Sequence, residues 1–417
     1  MKPFKCAVKF NLCVFAFVNL LVCYPALAGT YARSIPITCH DHLAPSAAFN
    51  QRFTDFIERW QVPGASLAIM SHGKMRVSCG YGWADMEAHQ AVQPDALFRL
   101  GSVSKTVTAI AVLQLIQEGK LKFNDKVFNV LNDLKPLSHA AINPELYQIT
   151  VRNLLQMSSG WYVDRPQDFD PLLGPWSNTM LKQLKNVIPP NCETASRLMM
   201  DMPLQFTPGT QWSYSNVNYC LLGMIINKLS GQIGAQGYES YIQQRLLKPY
   251  GVTGMQLGQS NFENRSPREV KYYFHKDPNL FVDIDRSIVG LPYGDTDILK
   301  KNYSDGGWIA SASDLVKMLQ AFSNKKLINE NMIKEMIAKP AFTKIKNSYS
   351  AMGWDEVNYR NNRYFLVKTG SFTGTKAFIM LSEQGDSYAV LFNAKPAPHK
   401  QFVKELESLL LNNEITL

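Results

Sequence analysis

Phe98-Arg99-Leu100-Gly101-Ser102-Val103-Ser104-Lys105-Thr106 runs without a break into Val107-Thr108-Ala109-Ile110-Ala111-Val112-Leu113-Gln114-Leu115-Ile116. The second half is apolar on all sides, which predicts a helix buried all round, ended by Gly119. At its start Ser102 and Lys105 stand three residues apart, so both side chains project to one side. The free N–H groups of that first turn point towards incoming negative charge. A serine hydroxyl is a poor nucleophile until something takes its proton. A lysine in a desolvated, positively biased site can serve as that base. The plainer reading makes Ser102 a helix cap and Lys105 a solvated charge. The helix that follows is too apolar for a place on the surface. S-x-x-K also occurs at Ser71-Lys74, across an expected hairpin turn, and at Ser323-Lys326, at an exposed helix end. Both read as polar surface.

Outward from this stretch, Ser46 to Trp60 predicts an amphipathic helix with Phe49, Phe53, Phe56 and Ile57 on one face. Ala65–Ser71 and Met75–Tyr81 read as strands joined around His72-Gly73-Lys74. Tyr364–Lys368, Ala377–Ser382 and Ser387–Asn393 are β-leaning again, and Lys400–Leu411 reads as a closing helix. Strands at both ends with helical patterns between them predict one α/β unit, with a mainly helical region, about 104–322, inserted into it. The tract from Trp161 to Cys192 is rich in Pro, Asp and Trp and has no period. Long loops of this kind often border binding sites.

Two further motifs sit at element ends. Tyr214-Ser215-Asn216 follows Pro208-Gly209-Thr210 and precedes an apolar helix, Val217–Leu229. A tyrosine between two ammonium groups has its phenolate favoured and can exchange protons. Asn216 can donate to a substrate carbonyl and accept from Lys105. A second Y-x-N, Tyr359-Arg360-Asn361, lies in a polar stretch suited to a turn. Lys368-Thr369-Gly370 occurs once, at the end of a β-leaning run. Its lysine supplies positive field, and its glycine lets substrate backbone approach closely. The backbone N–H of Ser371 is placed to join that of Ser102 as an oxyanion hole.

Composition bounds the function classes. The chain has 417 residues, 46% hydrophobic and 18% charged, and its 25 Gly and 22 Pro follow no period. Disorder and collagen-like architecture are excluded. The formal charge of +9 is spread along the chain, which gives little support for nucleic-acid binding. Lys2, Lys5 and Lys9, the apolar run Phe10–Tyr24 and Ala26-Leu27-Ala28 follow the layout of a secretory signal peptide cleaved after Ala28. The run is too short to span a bilayer. Removal of residues 1–28 lowers the charge to +6 and leaves 29–417 as one domain, periplasmic or secreted. Cys39, Cys79, Cys192 and Cys220 remain, with three possible pairings. Cys220, in an apolar helical run, reads as a buried thiol. No C-x-x-C or H-E-x-x-H occurs, so no metal or other cofactor is expected.

S-x-x-K, Y-x-N and K-T-G in this order resemble the serine β-lactamase and penicillin-binding-protein superfamily. Gly101-Ser102-Val103-Ser104-Lys105-Thr106, Ile149–Leu155, Phe206-Thr207-Pro208-Gly209, Gly306-Gly307-Trp308 and Ser311–Leu315 are similar to its class C and esterase-like branch. The resemblance runs from about residue 46 to 411. It implies an antiparallel sheet flanked by helices, beside a helical region, with the site between them. It implies a nucleophile Ser102, proton transfer by Lys105 and Tyr214, and an oxyanion hole from Ser102 and Ser371. Asn216, Lys368, Thr369 and Gly370 would bind substrate, with Lys368 and Thr369 holding a carboxylate or leaving group. Gln156-Met157-Ser158-Ser159-Gly160 departs from the His-Thr-Ser-Gly often found there, and no acidic residue can be assigned as a class A style deacylation base. The expected activity is hydrolysis of an ester or amide through an acyl-serine, esterase- or peptidase-like first, with D,D-carboxypeptidase or β-lactamase as alternatives. The expected partner is a small molecule or peptide with an ester, amide or lactam carbonyl. A rival of another class is a cleft that binds peptidoglycan peptides or a β-lactam without turnover. A structural or nucleic-acid-associated role would make the motifs coincidental.

Overall fold

The computed structural model describes residues 35–138, 141–161, 191–259, 264–277, 280–283, 299, 302–360, 362–372 and 374–411. The expected leader and most of the 161–192 tract lie outside the described residues. The strands are β1 (Ile37–Cys39), β2 (Gly64–Ser71), β3 (Lys74–Asp85), β4 (Gln90–Ala91), β5 (Phe98–Arg99), β6 (Gln256–Leu257) and β7 (Tyr273–Asp277). β8 (Leu280–Asp283), β9 (Trp308–Ala310), β10 (Ser348–Ala351), β11 (Trp354–Arg360), β12 (Arg363–Phe372), β13 (Thr375–Ser382) and β14 (Ser387–Phe392) follow. The helices are α1 (Ala47–Arg59), α2 (Ser104–Gln117), α3 (Val127–Val130), α4 (Val151–Leu155), α5 (Cys192–Met199) and α6 (Asn216–Ser230). α7 (Gly234–Ile242), α8 (Ala312–Ser323), α9 (Glu330–Ile337) and α10 (His399–Leu411) complete them.

The main sheet runs β1-β3-β2-β14-β13-β12-β11-β10, with β4 on β3, and its pairs are antiparallel. Its centre is the junction of the two chain ends: β2 pairs with β14, Ile69 opposite Tyr388. Every residue of β2 is buried, because helices cover both faces of the sheet. Leu67 and Ile69 face one core, with Phe49, Phe53 and Phe56 of α1 and Phe402, Leu406 and Leu410 of α10. Ala68 and Met70 face the other, which contains the whole apolar run of α2. The expected α/β architecture, with sheet strands drawn from both ends, is the one observed.

Two details differ from the sequence expectation. The mainly helical region 104–322 also contains β6 to β9, and β5-β9-β6 form a small sheet with Arg99 opposite Ile309 and Gln256 opposite Ile309. β5, β6 and β9, two or three residues each, carry no legible period. Cys220 is not a free thiol: it is disulfide-bonded to Cys192, joining α5 to α6, and Cys39 is bonded to Cys79 across β1 and β3. The apolar setting of Cys220 gave no sign of Cys192, which starts a helix packed against α6 and lies just beyond a stretch with no period. Among the described residues no helix is long and apolar enough to cross a membrane.

Candidate active site

Lys105 belongs to the first turn of a helix buried all round, so its amine is carried into the interior; the residue is 1% exposed. A buried ammonium is tolerated only among acceptors. Nζ donates to Asn216 Oδ1 at 2.7 Å, to the Asp305 carbonyl at 2.7 Å and to Ser102 Oγ at 3.2 Å, and Asp305 Oδ2 is 3.8 Å away. The field at Lys105 is therefore not simply positive, as the sequence suggested. Ser102 lies one turn earlier, in a short 3₁₀ turn, Gly101–Val103, and its side chain does not cap α2.

Tyr214 and Asn216 flank the start of α6, and α6 packs against α2. Tyr214 Oη is 2.5 Å from Ser102 Oγ, and its ring centroid is 5.2 Å from Lys105 Nζ. The expectation of a favoured phenolate is corrected. Burial pushes the phenol well above its ordinary range; Lys368 and the Ser102 hydrogen bond pull the other way but do not overcome it. Desolvation wins, so the resting residue is a neutral phenol.

β12 brings the third motif across the 3₁₀ turn. A Cβ on Gly370 would lie 1.8 Å from the Leu100 carbonyl and 2.9 Å from Ser102 N, and one on Gly101 2.7 Å from Ser371 N. Only glycine allows this approach, which brings Gly370 against the Ser102 amide and Gly101 against that of Ser371. Lys368 and Thr369, expected to meet substrate, are engaged by the chain itself. Lys368 Nζ donates to Asp355 Oδ1 at 2.5 Å, and Thr369 N and Oγ1 donate to Asp355 Oδ2 at 2.8 and 2.9 Å.

The structure thus gathers Ser102, Lys105, Tyr214, Asn216, Lys368, Thr369, Gly370 and Ser371 into one place. The other motif copies stay outside it. Ser71 Oγ donates to Asp386 Oδ1 at 2.6 Å, Lys326 and Tyr359 are exposed, and Asn361 lies outside the described residues. Sequence reasoning missed Asp305 and Asp355. Each adjoins a glycine–tryptophan word, Asp305 before Gly306-Gly307-Trp308 and Asp355 after Gly353-Trp354. That is the one local mark either carries. Trp212, Tyr214, Ser350, Asp355 and Lys368 line a narrow crevice over Lys105. Beside it opens a groove of about 730 Å³ that shares Trp212, Ser350 and Asp355 and continues past Thr369 to Tyr349 and His399. A separate hollow of about 520 Å³, between Leu131, Met224 and Tyr303, touches none of the motif residues. Cys192, Cys220 and Asp305 cluster closely enough for a metal ion, but the two sulfurs are bonded to each other and offer no thiolate.

The family model described as Beta-lactamase matches residues 49–411. The chain is 28% identical over 347 residues to a probable fimbrial assembly protein, FimD, of Dichelobacter nodosus, covering 81% of this chain and 77% of that protein. Among solved structures it is similar to an octameric penicillin-binding protein homologue from Pyrococcus abyssi, with a TM-score of 0.67, 23% identity and coverage of 88% of this chain and 77% of that one. It is also similar to a D-amino acid amidase from Ochrobactrum anthropi SV3, with a TM-score of 0.65, 20% identity and coverage of 87% and 98%. At these identities the structural likenesses speak to the fold alone.

Proposed function

The chain belongs to the β-lactamase family, and from that membership we propose that it is an exported serine hydrolase that cleaves an ester or amide through a covalent acyl-serine. The observation that carries this reading is the position of Ser102 Oγ, within hydrogen-bonding reach of both Tyr214 Oη at 2.5 Å and Lys105 Nζ at 3.2 Å. A nucleophile needs a base, and a leaving group needs an acid. Ser102 Oγ bonds to the carbonyl carbon as its proton moves to the amine form of Lys105. The Ser102 and Ser371 amides receive the oxyanion, each donor contributing about 3–4 kcal/mol in comparable sites. Tyr214, a neutral phenol at rest, then protonates the departing alcohol or amine. The phenolate left behind takes a proton from the water that attacks the acyl-serine, and Lys105 returns its proton to Ser102.

Export rests on the leader-like segment 1–28. The test of the chemistry is covalent labelling. A fluorophosphonate probe or a labelled penicillin should add its mass to a peptide containing Ser102, and Ser102→Ala should abolish the adduct. Folded protein that takes up neither reagent, by intact mass spectrometry, would overturn the reading. A stable adduct with no turnover of any ester would favour a binding protein instead.

A further inference from the structure

An ammonium, a backbone N–H and a hydroxyl that converge on one point make a receptor for one carboxylate. Lys368 Nζ, Thr369 N and Thr369 Oγ1 are such a set, and in this protein the carboxylate is internal. Asp355 places Oδ1 2.5 Å from Lys368 Nζ and Oδ2 2.8 and 2.9 Å from Thr369 N and Oγ1. Each oxygen is used, and the contacts are those a bound carboxylate would make. The backbone fixes the arrangement: β11 and β12 pair with Glu356 opposite Val367, so Asp355 stands one step further along, beside Lys368. The Asp355 side chain is 36% exposed and that of Lys368 4%. Whatever enters from the groove meets the aspartate before the ammonium. Burial alone would raise the Asp355 carboxyl, but Lys368 and the Thr369 donors hold it below its usual range, so the charge is present at neutral pH.

We propose that Asp355 is a specificity-determining residue that fills the anion-binding end of the cleft, so that the substrates are esters or amides with no carboxylate on the leaving-group side. This rests on the hydrolase reading above. A substrate carboxylate would have to displace Asp355 and its three hydrogen bonds, or lie against a like charge, and either cost discriminates against it. Carboxylate-bearing leaving groups, including those of β-lactams and of peptides ending in a free D-residue, are thereby disfavoured.

The experiment compares 3-acetoxybenzamide with 3-acetoxybenzoate, near-isosteric esters whose leaving groups carry a neutral carboxamide and a carboxylate respectively. The native protein should favour the amide in kcat/KM by at least about tenfold, and Asp355→Asn and Asp355→Ser should each narrow that ratio by about tenfold. A ratio that neither variant moves, or a native preference for the acid, overturns the proposal. Binding keeps the question separate from turnover. By calorimetry, 3-acetoxybenzoate should bind Ser102→Ala/Asp355→Asn about ten times more tightly than Ser102→Ala, while 3-acetoxybenzamide binds both alike. Equal affinity for the acid, or no binding of it to either, overturns the inference even if every ester fails to turn over and the hydrolase reading falls by itself.

Discussion

Lys376, on β13 directly opposite Ser371, is a lysine whose cost to the fold can be followed by titration. It is 1% exposed; Nζ donates to Ser371 Oγ at 3.3 Å and lies 3.0 Å from His399 Nε2. Burial draws its ammonium down to about 7, with Lys395 and Lys368 adding to the effect and Asp355 opposing it. His399 falls to about 4, first through burial and then through Lys376 and Lys395. The folded protein thus binds both protons less tightly than the unfolded chain does. Stability therefore rises with pH from about 7 to 10.5 through Lys376, and from about 4 to 6.5 through His399. Lys376→Met should raise Tm relative to the parent at pH 6, and the gain should shrink steadily towards pH 10. A difference in Tm that does not change with pH would show that the lysine carries no such cost. Ser102, Lys105, Tyr214 and Lys368 were legible as residues because each belongs to a short contiguous word. Asp305 and Asp355 were not, because strand pairing and loop path deliver them from positions with no motif of their own. The protonation of Tyr214 was not legible either, since it is decided by burial.

At the scale of elements, the site depends on β12 crossing the 3₁₀ turn before α2 at backbone contact. Gly370→Ala would put a Cβ 1.8 Å from the Leu100 carbonyl, so strand and turn must part. A displacement of about 1 Å at a reacting centre can cost about a hundredfold in rate. Gly370→Ala should accordingly lower kcat by about that factor or more on an aryl ester, with the far-ultraviolet circular dichroism of the folded protein retained. An unchanged kcat would mean that the contact does not align the two amides. The helices α1, α2 and α6 and the strands β2, β3, β12, β13 and β14 were legible because their apolar patterns extend over several turns or pleats; β1, β4, β10 and β11 of the same sheet were not read. β5, β6 and β9 were not. Their pairing is tertiary, and it anchors Arg99 three residues before Ser102.

For the whole molecule, the two ends of the chain share one core. The Phe56 and Phe402 rings lie 5.0 Å apart, and Trp60 meets Phe402 edge-on at 5.2 Å. Phe402→Ala should lower the unfolding free energy by about 3–5 kcal/mol. Because its partner belongs to α1, the loss in a Phe56→Ala background should be smaller than in the parent. Full additivity in urea unfolding would show that the two helices are energetically independent. The pairing of β2 with β14 has a further consequence for synthesis. A chain emerging N-terminus first from the ribosome pairs β2 with β3 on one side but offers the other edge of β2 with no partner until Ser387–Phe392 has appeared. The sheet cannot close before then, and contacts this distant in sequence form slowly. The nascent chain is thus kept open along this edge until β14, the last strand of the sheet, is available.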